Sequence, residues 1–213
     1  MTTDQLIELL AADLTPVERR RMLWTIILAF VLGTAAAFGA MLLIFNPRSE
    51  FLSGRSPDTL LIKILFASGV AATAAVFLPR LARPEARMRS LPKLVFIPFV
   101  AVAASAIVAL ASSHWSSWVG MIVGRDWTTC LLSIPVLALV PFACLIWSLR
   151  MGASTDRTHA GEIAGLVAGG LGALACAFPC VDGALPSIAL WYSVPIVICA
   201  AVGAKLGPSL LRW

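Results

Sequence analysis

Apolar residues in this chain fall into six long runs, at 22–45, 60–78, 94–111, 130–149, 162–178 and 185–205. Each is near the ~20 residues that a helix needs to cross the hydrocarbon core of a bilayer. None alternates polar and apolar residues with a period of two, so the pattern predicts helices rather than strands of a barrel. Polar, breaker-containing stretches separate them, among them Asn46-Pro47 and Ser56-Pro57 in the first loop. The expected fold is all-α: a six-transmembrane-helix bundle (residues 22–213) preceded by a short cytoplasmic segment (1–21).

That first segment has a different pattern. Over residues 3–14, Leu6, Ile7, Leu10 and Leu14 fall on one helical face, with Asp4 and Glu8 away from it. Thr2 and Gln5 fit a capping box. A helix lying on lipid usually carries Lys and Arg on its polar face. This one carries acids, which favours a protein partner. Thr15-Pro16-Val17-Glu18 is a second helix start, leading through Arg19, Arg20 and Arg21 into the first span. The opening is acidic before it is basic and has no small-residue cleavage motif, so no signal peptide is expected.

Composition agrees with a membrane protein: 60% of residues are hydrophobic and 13% charged, against about 25% charged in soluble domains. The net charge of +5 reads as a topology signal rather than a nucleic-acid surface, because most of it sits in short loops. With the N-terminus inside, twelve Lys and Arg fall on inner segments, five of them (Arg80, Arg83, Arg87, Arg89 and Lys93) in the loop 79–93. Four fall outside: Arg48, Arg55, Lys63 and Arg125. That asymmetry puts both termini in the cytoplasm. Lys63, near the start of span two, is expected to snorkel to the interface. The loop 112–129 carries Trp115, Trp118 and Trp127 as interface anchors. Gly161, Gly165 and Gly169, with Gly170 and Gly172, mark the fifth span as a close-packing helix.

The chemistry on offer lies in the five cysteines. Cys130 opens span four and Cys180 follows span five, so both fall at the outer ends of antiparallel neighbours. A helix N-terminus favours the thiolate at Cys130. Such a pair can be a structural disulfide, an oxidisable dithiol or ligands for a soft metal ion. Cys176, one turn before Cys180, is an auxiliary candidate as third ligand or resolving thiol, although packing is its ordinary role. Asp182 and His114 are further auxiliary candidates. Cys144 and Cys199 read as packed thiols. No zinc, phosphate-loop or nucleophile-elbow motif occurs, and no acidic residue lies mid-span, which argues against a proton-coupled transporter.

The residues also carry a resemblance. The chain resembles the NrsF-type membrane anti-sigma factors of proteobacteria. The match includes the Thr-Asp-Gln-Leu-Ile-Glu-Leu-Leu-Ala-Ala-Asp start, the arginine cluster before span one and Cys130 followed by Leu-Leu-Ser-Ile-Pro. It extends to Cys180 in a proline-bounded loop leading to Trp191-Tyr192, and to the closing Leu-Gly-Pro-Ser-Leu-Leu-Arg-Trp. The resemblance implies an inner-membrane protein with no enzymatic activity that holds an extracytoplasmic-function (ECF) sigma factor in the cytoplasm, without binding nucleic acid itself. It implies sensing of oxidants or heavy metals by Cys130 and Cys180, and sigma contacts in the N-terminal segment, which here offers Asp4, Leu6, Ile7, Glu8, Leu10 and Leu14. No resident cofactor is implied beyond a transient soft metal ion at Cys130 and Cys180. Family members often have His before the second cysteine, where this chain has Pro179; that departure favours thiol redox chemistry over a His-assisted metal site. Two other classes fit less well: a membrane thiol–disulfide oxidoreductase, whose usual motif has two residues between cysteines rather than three, and a small metal-ion transporter.

Overall fold

The computed structural model describes residues 19–45, 57–81, 93–124, 127–151, 156–180 and 184–211. The amphipathic helix expected over 3–14, the residue Asp182 and most of the basic loop 79–93 lie outside them. The described residues form helices and turns with no strand. Among the described residues six helices, the third counted with the 3₁₀ turn Lys93–Val95 that leads into it, are long and apolar enough to cross a membrane. They are α1 (Arg19–Phe45), α2 (Pro57–Ala75), α3 (Phe96–Ala111), α4 (Trp127–Arg150), α5 (Arg157–Cys176) and α6 (Leu185–Leu210). At 1.5 Å per residue the longest, α1, extends about 40 Å.

Helix α5 is the hub. Of its span, 83% is buried inside the bundle, against 17–39% for the other five. It packs on α6, α4, α2 and α1. Its glycines make this possible, since in lipid close backbone packing replaces the hydrophobic effect as the force between helices. Gly161, Gly165 and Gly169 face α6, where added Cβ atoms would meet the Gly203 and Cys199 carbonyls and the Ile196 backbone. Gly170 faces Ala67 and Ala71 of α2, and Gly172 faces Ile134 and Ala138 of α4. The four-residue glycine spacing serves one neighbour, and the two extra glycines serve two others.

The other helices turn large apolar side chains outward: Leu43 is 87% exposed and Ile107 67%. Such surface suits lipid, not water. Pro135 and Pro141 lie inside α4. Pro141 fits against Gly33 of α1, where an added Cβ would sit 3.0 Å from the proline Cα.

Three local features differ from the sequence reading. Helix α5 begins at Arg157, five residues before the expected start, because Asp156 caps it: its carboxylate accepts from the His159 N–H at 3.3 Å and lies 2.8 Å from His159 Nδ1. The stretch 112–129 is not simply a loop. It holds a 3₁₀ turn at Trp115–Ser117 and a short helix at Trp118–Val123, docked on α6 by a hydrogen bond from Trp191 Nε1 to the Ile122 carbonyl at 2.8 Å. Lys63 does not reach outward. It is 2% exposed, held inside the bundle by the contact described next.

Candidate functional site: a buried thiol cluster

Cys130 lies in the first turn of α4, Cys176 is the last residue of α5, and Cys180 follows the turn 177–179. Pro179 has no N–H to extend the helix. The chain leaves α5 in a tight turn whose last backbone bond, from the Cys180 N–H to the Cys176 carbonyl at 3.4 Å, folds the second thiol back over the first. Just ahead of α4, Gly124 takes a positive φ of 62°, and an added Cβ there would press on Ser187 Oγ at 2.7 Å. Glycine thus lets the backbone pass close to the start of α6 immediately before the helix that carries Cys130.

These elements bring three sulfurs together. Cys130 Sγ lies 3.1 Å from Cys180 Sγ, and Cys176 Sγ lies 3.4 Å from Cys180 Sγ. All three fall within 4.8 Å of one another. Cys180 is the shared vertex, so it can pair with either neighbour. The cluster is closed: Cys130 is 6%, Cys176 0% and Cys180 3% exposed. A small oxidant or ion fits such a site better than the disulfide of a protein substrate. All five cysteines are free thiols here.

Two residues complete the surroundings. Lys63 of α2 donates from Nζ to the Cys180 carbonyl at 2.7 Å and stands 5.8 Å from the Tyr192 ring centroid. A carbonyl just past a helix end lacks an intrahelical partner, and the partial negative charge there attracts a cation. That attraction explains why the lysine stays buried instead of snorkelling. Tyr192 of α6, 2% exposed, lies against the cluster with its hydroxyl buried beside Cys180. The Cys180 thiol is held well below its ordinary value, at about 4, by hydrogen bonds from Cys130 and Cys176, with the Lys63 charge also working against the cost of burial. That depression favours the thiolate, the nucleophilic form, at Cys180.

The structure thus joins Cys130 and Cys180 and adds Cys176, for which packing was the ordinary expectation. His114 stands apart and exposed at the head of the Trp115–Ser117 turn, and the ligand cluster among the described residues contains only the three cysteines. Cys144 and Cys199 lie away from it, Cys199 on an apolar cavity of about 110 Å³ with Pro135, Phe142 and Val202. Lys63 and Tyr192 were not singled out from sequence as members of this site. The available signals were a charge inside an apolar run and the single tyrosine of the chain.

The cluster marks one end of the bundle. Phe38, late in α1, meets Phe178 edge-on with centroids 5.5 Å apart, so α1 runs toward the thiols and its start at Arg19 lies at the far end. Trp127 and Trp191 pack at 5.1 Å at the thiol end.

Comparison with known proteins gives a consistent result. The family model described as "Negative regulator of sigma F" matches residues 10–213. A protein of Azospira oryzae named "Probable anti-sigma-F factor NrsF" is 31% identical over 213 residues, covering all of both chains. The "Anti-sigma-F factor NrsF" of Caulobacter vibrioides is 29% identical over 218 residues, again covering both chains completely. No solved structure matches the chain.

Proposed function

The chain belongs to the NrsF family of negative regulators of sigma F, and from that premise we propose that it is an inner-membrane anti-sigma factor. In this reading residues 1–21 hold an ECF-type sigma factor at the cytoplasmic face, and residues 22–213 are the sensor. The sigma factor is released when Cys130 and Cys180 meet an oxidant or a heavy metal on the periplasmic side. A regulatory family also gives the protein a non-enzymatic role.

The observation that carries the sensing half is the 3.1 Å approach of Cys130 and Cys180 at the end of the bundle opposite the start of α1. Any chemistry joining these sulfurs links the head of α4 to the tail of α5, the hub on which α1, α2, α4 and α6 pack. A shift there reaches the opposite end through rigid, glycine-packed helices. It biases an equilibrium between sigma-holding and sigma-releasing arrangements. At the far end, the apolar face of Leu6, Ile7, Leu10 and Leu14, flanked by Asp4 and Glu8, supplies the grip.

The test has two halves. Co-purification of the sigma factor with wild-type and Leu10→Asp protein checks the grip; the variant is expected to lose most of the recovery, and equal recovery would remove the N-terminal helix from the mechanism. Reporter induction by oxidant or metal in Cys130→Ser and Cys180→Ser strains checks the sensor. Both are expected to lose the response, and a retained response in both would end the sensing claim.

A further inference from the structure

Three sulfurs, rather than the two that a dithiol needs, converge at the thiol end of the bundle. Cys176 is fully buried, 3.4 Å from Cys180, and its Sγ lies within 4.8 Å of both partners. Two different helices and a turn supply them, so the arrangement is not the chance neighbourhood of one helical face. A tetrahedral thiolate site with metal–sulfur bonds of about 2.3 Å places its sulfurs about 3.8 Å apart. To reach that spacing the Cys176–Cys180 pair opens by about 0.4 Å and the Cys130–Cys180 pair by about 0.7 Å, and a larger soft ion opens them further.

The surroundings independently suit a ligand. The Tyr192 hydroxyl is buried beside Cys180, placed to donate to a thiolate ligand there and to orient it. The Lys63 ammonium, held at the Cys180 carbonyl, puts a positive charge beside ligands that must be anionic. Soft thiolate donors with no carboxylate or imidazole among them select thiophilic ions over magnesium or calcium.

We propose that Cys130, Cys176 and Cys180 form a three-thiolate site for one soft divalent metal ion such as Cd²⁺, with Cys176 as a ligand in its own right. This rests on the reading of the outer thiols as the sensor and names its ligand class. Binding forms three metal–sulfur bonds; Cys180 enters as the thiolate, Cys130 and Cys176 release their protons to water, and nothing is oxidised or reduced. Because the sulfurs must spread to admit the ion, binding displaces the head of α4 from the tail of α5.

The experiment uses the full-length chain, reduced and reconstituted in lipid nanodiscs, titrated with Cd²⁺ alone. Wild type is expected to bind one ion, with X-ray absorption showing three sulfur neighbours and an ultraviolet thiolate-to-cadmium band of matching intensity. Cys176→Ser should lose about a third of that band and bind at least tenfold more weakly, whereas Cys144→Ser/Cys199→Ser should match wild type. Two sulfur neighbours in the wild type would overturn the proposal, and that measurement does not depend on any variant folding. An unchanged band and affinity in Cys176→Ser would overturn it equally. Sigma-factor capture is read on the same preparations: a three-sulfur site without capture supports the site and removes the anti-sigma reading, and capture with a two-sulfur site does the reverse.

Discussion

At the scale of single residues, Cys180 concentrates the chemistry. It is the sulfur shared by both short contacts, and its carbonyl takes the Lys63 ammonium. Because its folded pKa is depressed from 9.0 to about 4, the stabilisation tied to its ionisation is fully present above the unfolded value. It declines as pH falls and is gone below the folded value. The same depression governs reactivity. The alkylation rate of Cys180 by a small maleimide, read by mass mapping, is expected to stay flat through neutral pH. A thiol of ordinary acidity would gain about tenfold per unit over the same range, and that slope at Cys180 would refute the assignment. Replacing the lysine tests its contribution. Lys63→Met leaves a buried carbonyl without its donor, a loss of about 1–3 kcal/mol, and should slow Cys180 alkylation at neutral pH, while Lys63→Arg should restore part of both. Denaturant titration in detergent, with alkylation kinetics, reads the two effects.

At the scale of elements, α5 sets the geometry. Its glycines let neighbouring backbones approach until an added methyl would collide with the carbonyls of Gly203 and Cys199. Gly165→Val is therefore expected to destabilise the bundle by about 1–3 kcal/mol or more, as overpacked cores do. Gly39→Ala on α1, where nothing lies within 4 Å, should be neutral. Equal effects would mean that the α5–α6 contact is looser than it looks. Asp156→Ala removes the cap that starts α5 and should cost about 1 kcal/mol. The periodicity of Gly161, Gly165 and Gly169 announced a packing helix from sequence. The capped extension back to Arg157 was less legible, because Arg157 and His159 are polar and their inclusion depends on Asp156 satisfying an orphan N–H. The helix at Trp118–Val123 was hidden for a related reason: it is only six residues long, its Trp118 read as an interface anchor in a loop, and its docking depends on Trp191, 69 positions from Ile122.

At the scale of the whole molecule, the proposal separates two surfaces by the length of a membrane span: thiols at one end and a sigma-holding arm at the other. Sidedness is directly testable. In intact cells Ser116→Cys should react with an impermeant maleimide that reaches the periplasm, and Thr2→Cys only after the inner membrane is opened. The reverse pattern would put the thiol cluster in the cytoplasm and break the proposed signalling direction.

The sequence alone determined the number of membrane-length apolar segments, their helical nature and the charge asymmetry between loops, because each is a property of short windows: length, hydropathy and the placement of Lys and Arg relative to a run. It also placed Cys130 and Cys180 at the same end, since alternating spans leave no other choice. Only the tertiary structure decided that Cys176 points at them, that Lys63 turns inward to the Cys180 carbonyl instead of outward to water, and that Tyr192 closes the site. Those outcomes depend on the rotation of α2, α5 and α6 about their own axes. Contacts between helices far apart in the chain set that rotation, and a local pattern of apolar residues, facing lipid on one side and protein on the other, does not encode it.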